Sequence, residues 1–331
     1  MKLSDFQYDL PQELIAQSPA EDRTSARLLI VNRQTGELTH ATFNRITDFL
    51  QNRDVLILNN TKVFKARLLG HKRTGGKVEI LLIREAIGDR WEAMISHAKR
   101  IHEGTTIEFS ENVFATIEKK IAGAKVMLSF NQDAMKIIEA HGLVPLPHYI
   151  KRKPVPNDEK RYQTMFAKNF GSIAAPTAGL HFTDNLLNEI QTRGTIISEL
   201  TLHIGPGTFK PIRSDNVEEH EMDAEYFEIS DAIRSNIQNA KRVFAVGTSV
   251  CRALETYAKN HDTCGWADLF IYPGYTFQLI DCLVTNFHLP GSTPLLLVCA
   301  FAGKDLIFKA YREAIRMKYR FLSYGDAMLI I

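Results

Sequence analysis

The chain has 331 residues, of which 45% are hydrophobic and 24% charged, and its 40 basic and 38 acidic side chains leave a formal charge of +2. A chain of this length is expected to form about two domains, and its average composition excludes disordered, collagen-like and low-complexity proteins. Because the net charge is small, a polyanionic partner would have to bind a local basic patch.

Several features predict a soluble, cytoplasmic protein. Residues 1–11 carry Asp5 and Asp9 where a signal peptide needs a basic start and an apolar run. The longest apolar stretch, residues 295–302, is far shorter than the roughly 18 residues that cross a bilayer. The four cysteines are far apart and form no C-x-x-C pair, which is typical of reduced thiols. We expect the protein to act as a monomer.

The first half of the chain has the pattern of β-strands. An apolar strand is predicted at residues 54–59. Short strands separated by Gly, Asp and Asn turns then follow between about residues 63 and 130, at 78–83, 91–96, 105–109, 113–118 and 125–130. Strands at this spacing predict a small antiparallel barrel or sandwich.

A helix and a proline-rich boundary follow the predicted barrel. Asn131 can cap a helix that runs to about residue 140, and Gly142 can end it. Prolines at 145, 147, 154 and 156 then exclude regular structure, because proline has no amide to donate. This segment is interpreted as a domain boundary.

Beyond residue 161 strands and helices alternate, which predicts an α/β domain. The predicted elements are a helix from cap Thr183 to about Gly194, strands at 195–204, 243–246 and 280–286, a helix from about residue 250, and a helix capped by Ser292 or Thr293 with Pro294 as its first residue. The fold class is therefore α/β, with a main domain of residues 1–61 and 151–331. An inserted, mostly antiparallel β-barrel domain of residues 62–150 interrupts it.

Glycine-containing loops follow two of these strands, at the place where α/β proteins bind ligands. In the segment 205–208, Gly205 and Gly207 could let backbone amides approach a ligand, although the pattern alone favours a plain turn. In the segment 246–249, Gly247 leads a strand into a helix whose first amides could accept a carboxylate or phosphate. Thr248 could instead simply cap that helix, and Arg252 could add positive charge or lie at the surface.

Two further loops combine polar side chains with small residues. The loop 285–292 contains Asn286, His288 and Ser292, and the loop 176–181 contains Thr177 and His181. A lone histidine is usually structural, but several polar side chains in one strand-end loop favour a binding site.

Carboxylates and imidazoles suited to proton transfer occur in the C-terminal half. His220 and Glu221 lie near Glu225, and Tyr324 lies near Asp326. The histidines have no compact metal-ligand spacing, so we expect no metal site. The sequence also lacks the G-x-S-x-G motif of serine hydrolases.

Two basic runs flank the predicted barrel. They comprise Lys62, Lys65, Arg67, Lys72, Arg73 and Lys77 on one side and Lys151, Arg152 and Lys153, with Lys160 and Arg161, on the other. Such runs are often merely solvated surface. If the two share one face, they would form a track for RNA phosphates.

Taken together, these residues closely resemble the S-adenosylmethionine:tRNA ribosyltransferase-isomerases of queuosine biosynthesis. The strings that carry the resemblance, in chain order, are FQYDLPQELIAQ at 6–17, LNNTKV at 58–63, ARL at 66–68, AAPTAGLHFT at 174–183, LHIGPGTF at 202–209, TNFHLPGST at 285–293 and YRFLSYGDAMLI at 319–330. They cover nearly the whole chain, and long strings in one order are far more specific than any single motif.

The resemblance implies a transfer without a metal or redox cofactor. The ribosyl part of S-adenosylmethionine, consumed as co-substrate, would move to 7-aminomethyl-7-deazaguanine at the wobble position of a tRNA and rearrange to an epoxycyclopentanediol. Adenine and methionine would leave. The family fold, an α/β domain interrupted by a β-barrel, agrees with the insertion predicted from the residue pattern.

The implied chemistry needs a base for the 5′ proton beside the sulfonium, a donor for the departing adenine and a site for the methionine carboxylate. His203, Glu225 and Asp326 are the candidates for proton transfer. The residues expected to bind substrate are Thr177, His181, Gly205, Gly207, Thr208, Thr248, Arg252, Asp281, Asn286, His288, Ser292 and Tyr324. The helix start at 246–252 would hold the carboxylate, and Asp281 would accept from the guanine-like base. The RNA-binding residues would be Lys62, Lys65, Arg67, Lys72, Arg73, Lys151, Arg152 and Lys153.

The sequence departs from the family pattern at two places. Gly247-Thr248-Ser249-Val250 stands where Gly-Thr-Thr-Ser is common, which keeps a hydroxyl at the helix cap. Asp223 stands where a second histidine is common, which weakens any imidazole role there. The alternatives are a non-catalytic RNA-binding protein, which leaves the polar loops unexplained, and an enzyme of free nucleosides, which leaves the basic runs unexplained.

Overall fold

The computed structural model describes the backbone of residues 1–331 and every side chain except those of Thr208 and Phe209. Its strands form two main sheets. A short parallel pair of strands, β4 (Thr61–Val63) and β12 (Asn169–Ser172), forms a separate small sheet. Across this described chain, no helix has both the length and the apolar character needed to cross a membrane.

The larger sheet is mixed. Side by side, its strands are β16 (Cys264–Ala267), β14 (Glu225–Glu228), β13 (Ile196–Leu202), β3 (Val55–Asn59), β15 (Val243–Val246), β17 (Cys282–Asn286), β18 (Ala327–Ile330), β1 (Arg27–Val31) and β2 (Leu38–Thr42). Strands β13, β3, β15 and β17 run parallel, so their carboxyl ends lie at one edge. Because β18 runs antiparallel to β17, the segment before β18 reaches the same edge.

Helices cover both faces of this sheet. α4 (Asp231–Gln238), α5 (Thr248–Asn260), α6 (Thr293–Ala302) and α7 (Lys304–Arg316) pack on one face, and α3 (Asp184–Thr192) packs on the other. In β3, Val55 and Ile57 belong to the first core and Leu56 and Leu58 to the second. Consecutive side chains of a strand point to opposite faces, so a strand covered on both sides must be apolar throughout.

The smaller sheet closes into an antiparallel barrel, which confirms the predicted fold class. Its strands, in order, are β5 (Arg67–Lys72), β6 (Lys77–Ala86), β7 (Arg90–Ile95), β10 (Lys125–Phe130), β9 (Val113–Ala122) and β8 (Thr106–Ser110), and β8 pairs back with β5. Trp91, Ile107 and Leu128 fill the interior. At the closure, a Cβ atom on Gly70 would lie 2.7 Å from the Glu108 carbonyl oxygen. Only glycine therefore allows these two strands to approach.

Some helix starts differ from the sequence predictions. α1 (Ala134–His141) is capped by Asp133, whereas Asn131 accepts a hydrogen bond from the Phe114 amide at 2.8 Å and so ties β9 to the end of β10. α2 (Pro156–Arg161) begins inside the proline-rich segment, because proline is tolerated at a first helical position. α5 begins at Thr248, two residues before the expected start.

The remaining described elements are short. β11 (Gly142–Leu143) pairs with β5 after α1. The 3-10 helices are Leu3–Phe6, Gln12–Leu14, Arg23–Ser25, Phe43–Phe49, Ala98–Arg100, Thr177–His181, Pro206–Phe209 and Val217–Glu219.

Candidate active site

The polar strand-end loops meet in one pocket at the carboxyl edge of the larger sheet. Its walls include residues 174–178 after β12, residues 247–249 at the start of α5, and residues 285–289 and 292–294 between β17 and α6. Its enclosed space is about 130 Å³, within a cleft of about 1040 Å³ that includes open solvent. The site is therefore open to solvent. Segments far apart in sequence thus form one site.

The start of α5 presents backbone amides to this pocket. Gly247 turns the chain from β15 into α5 with φ of 95°, a conformation that favours glycine. Among the described side chains none caps this helix, and Gly247, Thr248 and Ser249 line the pocket. The amides of a first helical turn lack intrahelical partners and carry partial positive charge. A carboxylate or phosphate group suits such a place.

A second helix, α6, begins at the same pocket. The Ser292 hydroxyl donates a hydrogen bond to the Leu289 carbonyl oxygen at 2.7 Å and so fixes the loop before the helix. Ser292, Thr293 and Pro294 all line the pocket, with Pro294 as the second helical residue and not the first. Two helix N-termini therefore favour negative charge on one ligand.

A buried ion pair forms part of the pocket wall. Glu225 and Arg252 are 2% and 6% exposed, and Arg252 Nη1 lies 2.5 Å from Glu225 Oε2. Glu225 Oε1 accepts a hydrogen bond from the Gly205 amide at 2.9 Å. Arg252 also donates to the carbonyl oxygens of Leu269 and Ala267, at 3.1 and 2.8 Å. Arg252 is thus engaged on several sides and also lines the pocket, and its predicted contact with a substrate anion stays a prediction. Its contacts hold α5, β14 and the segment after β16 together.

Uncharged hydrogen bonds organise the opposite wall. The Thr177 hydroxyl donates to Asn286 Oδ1 at 2.8 Å, and Asn286 Nδ2 lies 3.3 Å from Nε2 of His181, which is packed behind it. His288 Nε2 lies 2.8 Å from the Thr285 hydroxyl. Burial lowers the pKa of His181 to about 4 and that of His288 to about 3. Both imidazoles are therefore neutral at pH 7 and hold positions in the wall without carrying charge.

Sequence reasoning missed an aromatic part of the pocket. Tyr149, Tyr162, Phe270 and Phe287 line it, and the Tyr149 hydroxyl hydrogen-bonds Ser323 at 2.6 Å. These rings come from irregular segments with no periodic pattern. Only Phe287 and Ser323 lay in strings that carried the family resemblance.

The structure places His203 outside the pocket. Its Nδ1 lies 2.8 Å from the Thr61 hydroxyl, and its ring stacks on Tyr226. Tyr226 follows Glu225 in a strand, and adjacent side chains of a strand point to opposite faces. His203 therefore lies on the outer face, whereas the next residue, Ile204, lines the pocket.

Asp326 and Tyr324 also make other contacts. Asp326 is buried, lies 3.1 Å from Arg27 and accepts hydrogen bonds from the backbone amides of Arg27 and Arg320, at 2.9 and 2.8 Å. Tyr324 donates its hydroxyl hydrogen to Asp158 at 2.9 Å. These carboxylates hold loops together and do not line the pocket, so Glu225 is the candidate base that does.

The structure places Asp281 away from the pocket, and its predicted contact with the guanine-like base stays a prediction. Asp281 precedes β17 at the edge opposite the pocket, where its carboxylate accepts a hydrogen bond from the Val243 amide at 2.8 Å. Gly205 lies beside the pocket through its bond to Glu225. Gly207 lies in the following 3-10 helix, where a Cβ atom would come within 2.6 Å of the Asp223 Cβ. The predicted role of Thr208 falls on a side chain outside the described ones.

Half of the predicted RNA-binding cations are paired with carboxylates. The pairs are Lys65 with Glu159 at 2.9 Å, Arg67 with Glu79 at 3.0 Å, Arg73 with Glu108 at 3.2 Å and Arg152 with Asp158 at 2.6 Å. Among the described side chains, Lys62, Lys72, Lys151 and Lys153 have no such partner. These lysines remain the stronger candidates for phosphate contacts. In the same described set, no group of three His, Cys, Asp or Glu side chains is placed to hold a metal ion.

Comparison with known proteins gives concordant results over the full length. The profile of the family described as queuosine biosynthesis protein matches residues 3–330. Proteins from Halothermothrix orenii and Sulfurihydrogenibium sp., both named S-adenosylmethionine:tRNA ribosyltransferase-isomerase, are 48% and 46% identical, with 100% of both chains covered in each case. The crystal structure of S-adenosylmethionine tRNA ribosyltransferase from Thermotoga maritima is 34% identical with a TM-score of 0.57, covering 99% of this chain and 100% of that one.

Proposed function

The chain belongs to the queuosine biosynthesis protein family, and we propose on this premise that the pocket between β15, β17 and α6 is where it binds S-adenosylmethionine. The protein transfers and isomerises the ribosyl moiety of S-adenosylmethionine onto 7-aminomethyl-7-deazaguanine at the tRNA wobble position, giving epoxyqueuosine-tRNA with release of adenine and methionine. The names of its relatives favour this activity over a non-catalytic RNA-binding protein.

One observation carries the assignment of the pocket. Three loops that are far apart in sequence, at 174–178, 247–249 and 285–294, converge on a single cavity at the carboxyl edge of an α/β sheet. This edge is the usual place for nucleotide ligands in such folds. The cavity also combines aromatic surface with helix N-termini, which suits a molecule that has both a nucleoside and an amino-acid part.

The methionine carboxylate is proposed to bind at the start of α5. The unpaired amides after Gly247 and the Thr248 hydroxyl face the pocket, and a helix N-terminus stabilises negative charge. The aromatic walls, including Tyr149 and Phe270, suit the sulfonium and adenine groups, since cations are attracted to ring faces and flat bases stack on them. Asn286 and Ser292 are proposed to hydrogen-bond the polar edges of the substrate.

Glu225 is proposed as the base. Its carboxylate lines the pocket, and removing the 5′ proton next to a sulfonium requires a group of this kind. The proton would pass from the 5′ carbon to a carboxylate oxygen and leave a carbanion beside the positive sulfur. The Arg252 ion pair and the Gly205 amide fix the carboxylate in place, which supports a role for Glu225 in a defined geometry.

The tRNA is proposed to contact the unpaired lysines. Lys62, Lys151 and Lys153 are exposed, and neutralisation of phosphates by these lysines would make tRNA binding weaken as salt rises. We also propose a cytoplasmic location and a monomeric state. The four cysteines are free thiols, which supports a reducing compartment, and light scattering after size exclusion tests the monomer.

The activity is tested by incubating the protein with S-adenosylmethionine and precursor tRNA and measuring adenine by chromatography. Adenine should appear only when both substrates are present. Release without tRNA would favour an enzyme of free nucleosides, and tRNA binding without release would favour a non-catalytic module. Either outcome contradicts the proposal.

A further inference from the structure

Aromatic rings form a row outside the pocket, on the outer face of the sheet edge. The ring centroids of His203 and Tyr226 lie 6.2 Å apart with 22° between the planes, and Tyr226 meets Trp266 edge-on at 5.6 Å. Beside His203, Gly171 of β12 approaches the ring: a Cβ there would come within 2.9 Å of Nε2. We call His203, Tyr226 and Trp266 the aromatic row.

Core packing does not explain this row. Trp266 is 49% exposed, although large apolar side chains are normally buried. The Arg84 guanidinium from the barrel lies 4.7 Å from the Trp266 ring centre. The rest of the Trp266 ring faces solvent. An exposed aromatic patch beside an active site indicates a contact surface.

The row begins one residue away from the pocket. His203 precedes Ile204 and Tyr226 follows Glu225, and both Ile204 and Glu225 line the pocket. A flexible strand with one unit inserted in the pocket would therefore lay its neighbouring units over the row. The row ends at Arg84 of the barrel, so it spans the junction of the two sheets.

The chemistry of the row suits unpaired RNA. The Arg84 guanidinium lies over the Trp266 ring, so a cation accompanies the open ring. The Thr61 contact orients the His203 ring, and burial lowers the pKa of His203, which keeps it an uncharged stacking surface at neutral pH. Open aromatic faces next to cations bind single-stranded RNA through base stacking and phosphate contacts. The exposed Glu228, which accepts the Tyr226 hydroxyl at 2.7 Å, disfavours phosphate there and leaves ring stacking as the main contact.

We propose that the aromatic row is a stacking platform for the unpaired nucleotides that flank the modified base in the tRNA anticodon loop. This inference rests on the proposed function. It assigns to Tyr226 and Trp266 a binding role that the pocket does not require, and it gives His203 a place in RNA binding and not in proton transfer.

The chain itself carries the probe for a direct test. It has two tryptophans, Trp266 and Trp91, and Trp91 is 2% exposed inside the barrel. Stacking of a base on Trp266 should therefore quench the exposed part of the intrinsic fluorescence when precursor tRNA is added. Trp266→Phe leaves Trp91 as the remaining tryptophan, and its fluorescence should not respond. A hairpin with the native anticodon loop should quench, whereas a fully paired duplex of equal length should not.

Kinetics provide the second measurement. Trp266→Ala and Tyr226→Ala should each raise the KM for tRNA by roughly 5- to 100-fold, the range seen on deleting one stacked aromatic side chain. The kcat at saturating tRNA and the KM for S-adenosylmethionine should stay unchanged, and Trp266→Phe should retain most of the affinity. Ile87→Ala, at a 97% exposed hairpin tip, is the matched control.

Two results would overturn the inference. One is a KM for tRNA within two-fold of the wild-type value in both alanine variants, together with tRNA-insensitive wild-type fluorescence. The other is fluorescence that changes with protein concentration in the absence of RNA, since this would indicate that a second copy covers Trp266. Failure of the proposed function would be recognised separately, because the wild-type protein would then release no adenine with any tRNA.

Discussion

Exchanging Glu225 for glutamine separates the chemical role of this carboxylate from its structural role. Glu225→Gln keeps the shape and an acceptor for the Gly205 amide but leaves the Arg252 guanidinium without its counter-charge. Breaking a buried ion pair by removing one partner costs about 3–5 kcal/mol. At about 2 °C per kcal/mol for a chain of this size, Tm should fall by about 6–10 °C.

The double variant Glu225→Gln/Arg252→Met removes both charges and should recover part of that stability, because apolar replacement of a buried pair is often near neutral. The recovery is partial because the Leu269 and Ala267 carbonyl oxygens lose their donor. Activity should not recover. Loss of a general base lowers kcat by about 10²- to 10⁴-fold, and both variants lack it.

The assay is adenine release at saturating S-adenosylmethionine and tRNA, run well below the lowest Tm, with calorimetry for stability. Glu139→Gln, an exposed glutamate on α1, is the matched control and should leave both values unchanged. A folded double variant with wild-type turnover would refute Glu225 as the base. A Glu225→Gln variant as stable as the wild type would refute the energetic argument.

Three further predictions concern stability. Burial lowers the pKa of His181 to about 4 and that of His288 to about 3. As pH falls below about 6.5, these histidines therefore bind protons in the unfolded chain before they do so in the folded protein. The free energy of unfolding should drop by about 2 kcal/mol per histidine between pH 7 and pH 5. In urea titrations His288→Gln should remove its share of this drop, and an unchanged pH dependence would contradict the assignment. Gly70→Ala should cost about 1–3 kcal/mol by forcing β5 and β8 apart, whereas Leu69→Ala, at an exposed neighbour, should not; equal values for the two would exclude the closure argument. Glu255 accepts the Leu279 amide at 3.0 Å from inside the core, so Glu255→Gln should lower unfolding free energy by about 1.5–3 kcal/mol in denaturant titrations, and no loss would disprove its anchoring role.

The sequence predicted most strands of the fold because their patterns are local. The run that forms β15 is apolar and bounded, and the alternation in β7 and β10 shows one buried face. The pocket loops could be predicted for a related reason. Glycine and polar residues directly follow such strands, and the carboxyl ends of parallel strands lie at the edge of the sheet where ligands bind. Gly247 and Asn286 were found in this way.

The individual site roles depended on information that a local pattern does not contain. A four-residue strand such as β14 does not reveal which of Glu225 and Tyr226 faces the ligand. Asp326 is held by Arg27, a partner 299 positions away. Likewise, whether a lysine or arginine is free depends on which distant carboxylate folds against it, as the Arg67 contact with Glu79 shows.

The position of the last strand has a consequence for synthesis on the ribosome. β18 follows all the other described strands along the chain, yet it lies in the interior of the larger sheet between β17 and β1. Until β18 has been translated, the larger sheet lacks this interior strand. The edges of β1 and β17 that pair with β18 in the folded protein are then unpaired. The barrel strands all lie within residues 67–130 and can close early from near neighbours. We expect the nascent chain to carry a finished barrel beside an incomplete sheet, and a chain stalled before residue 327 to expose edges that invite aggregation.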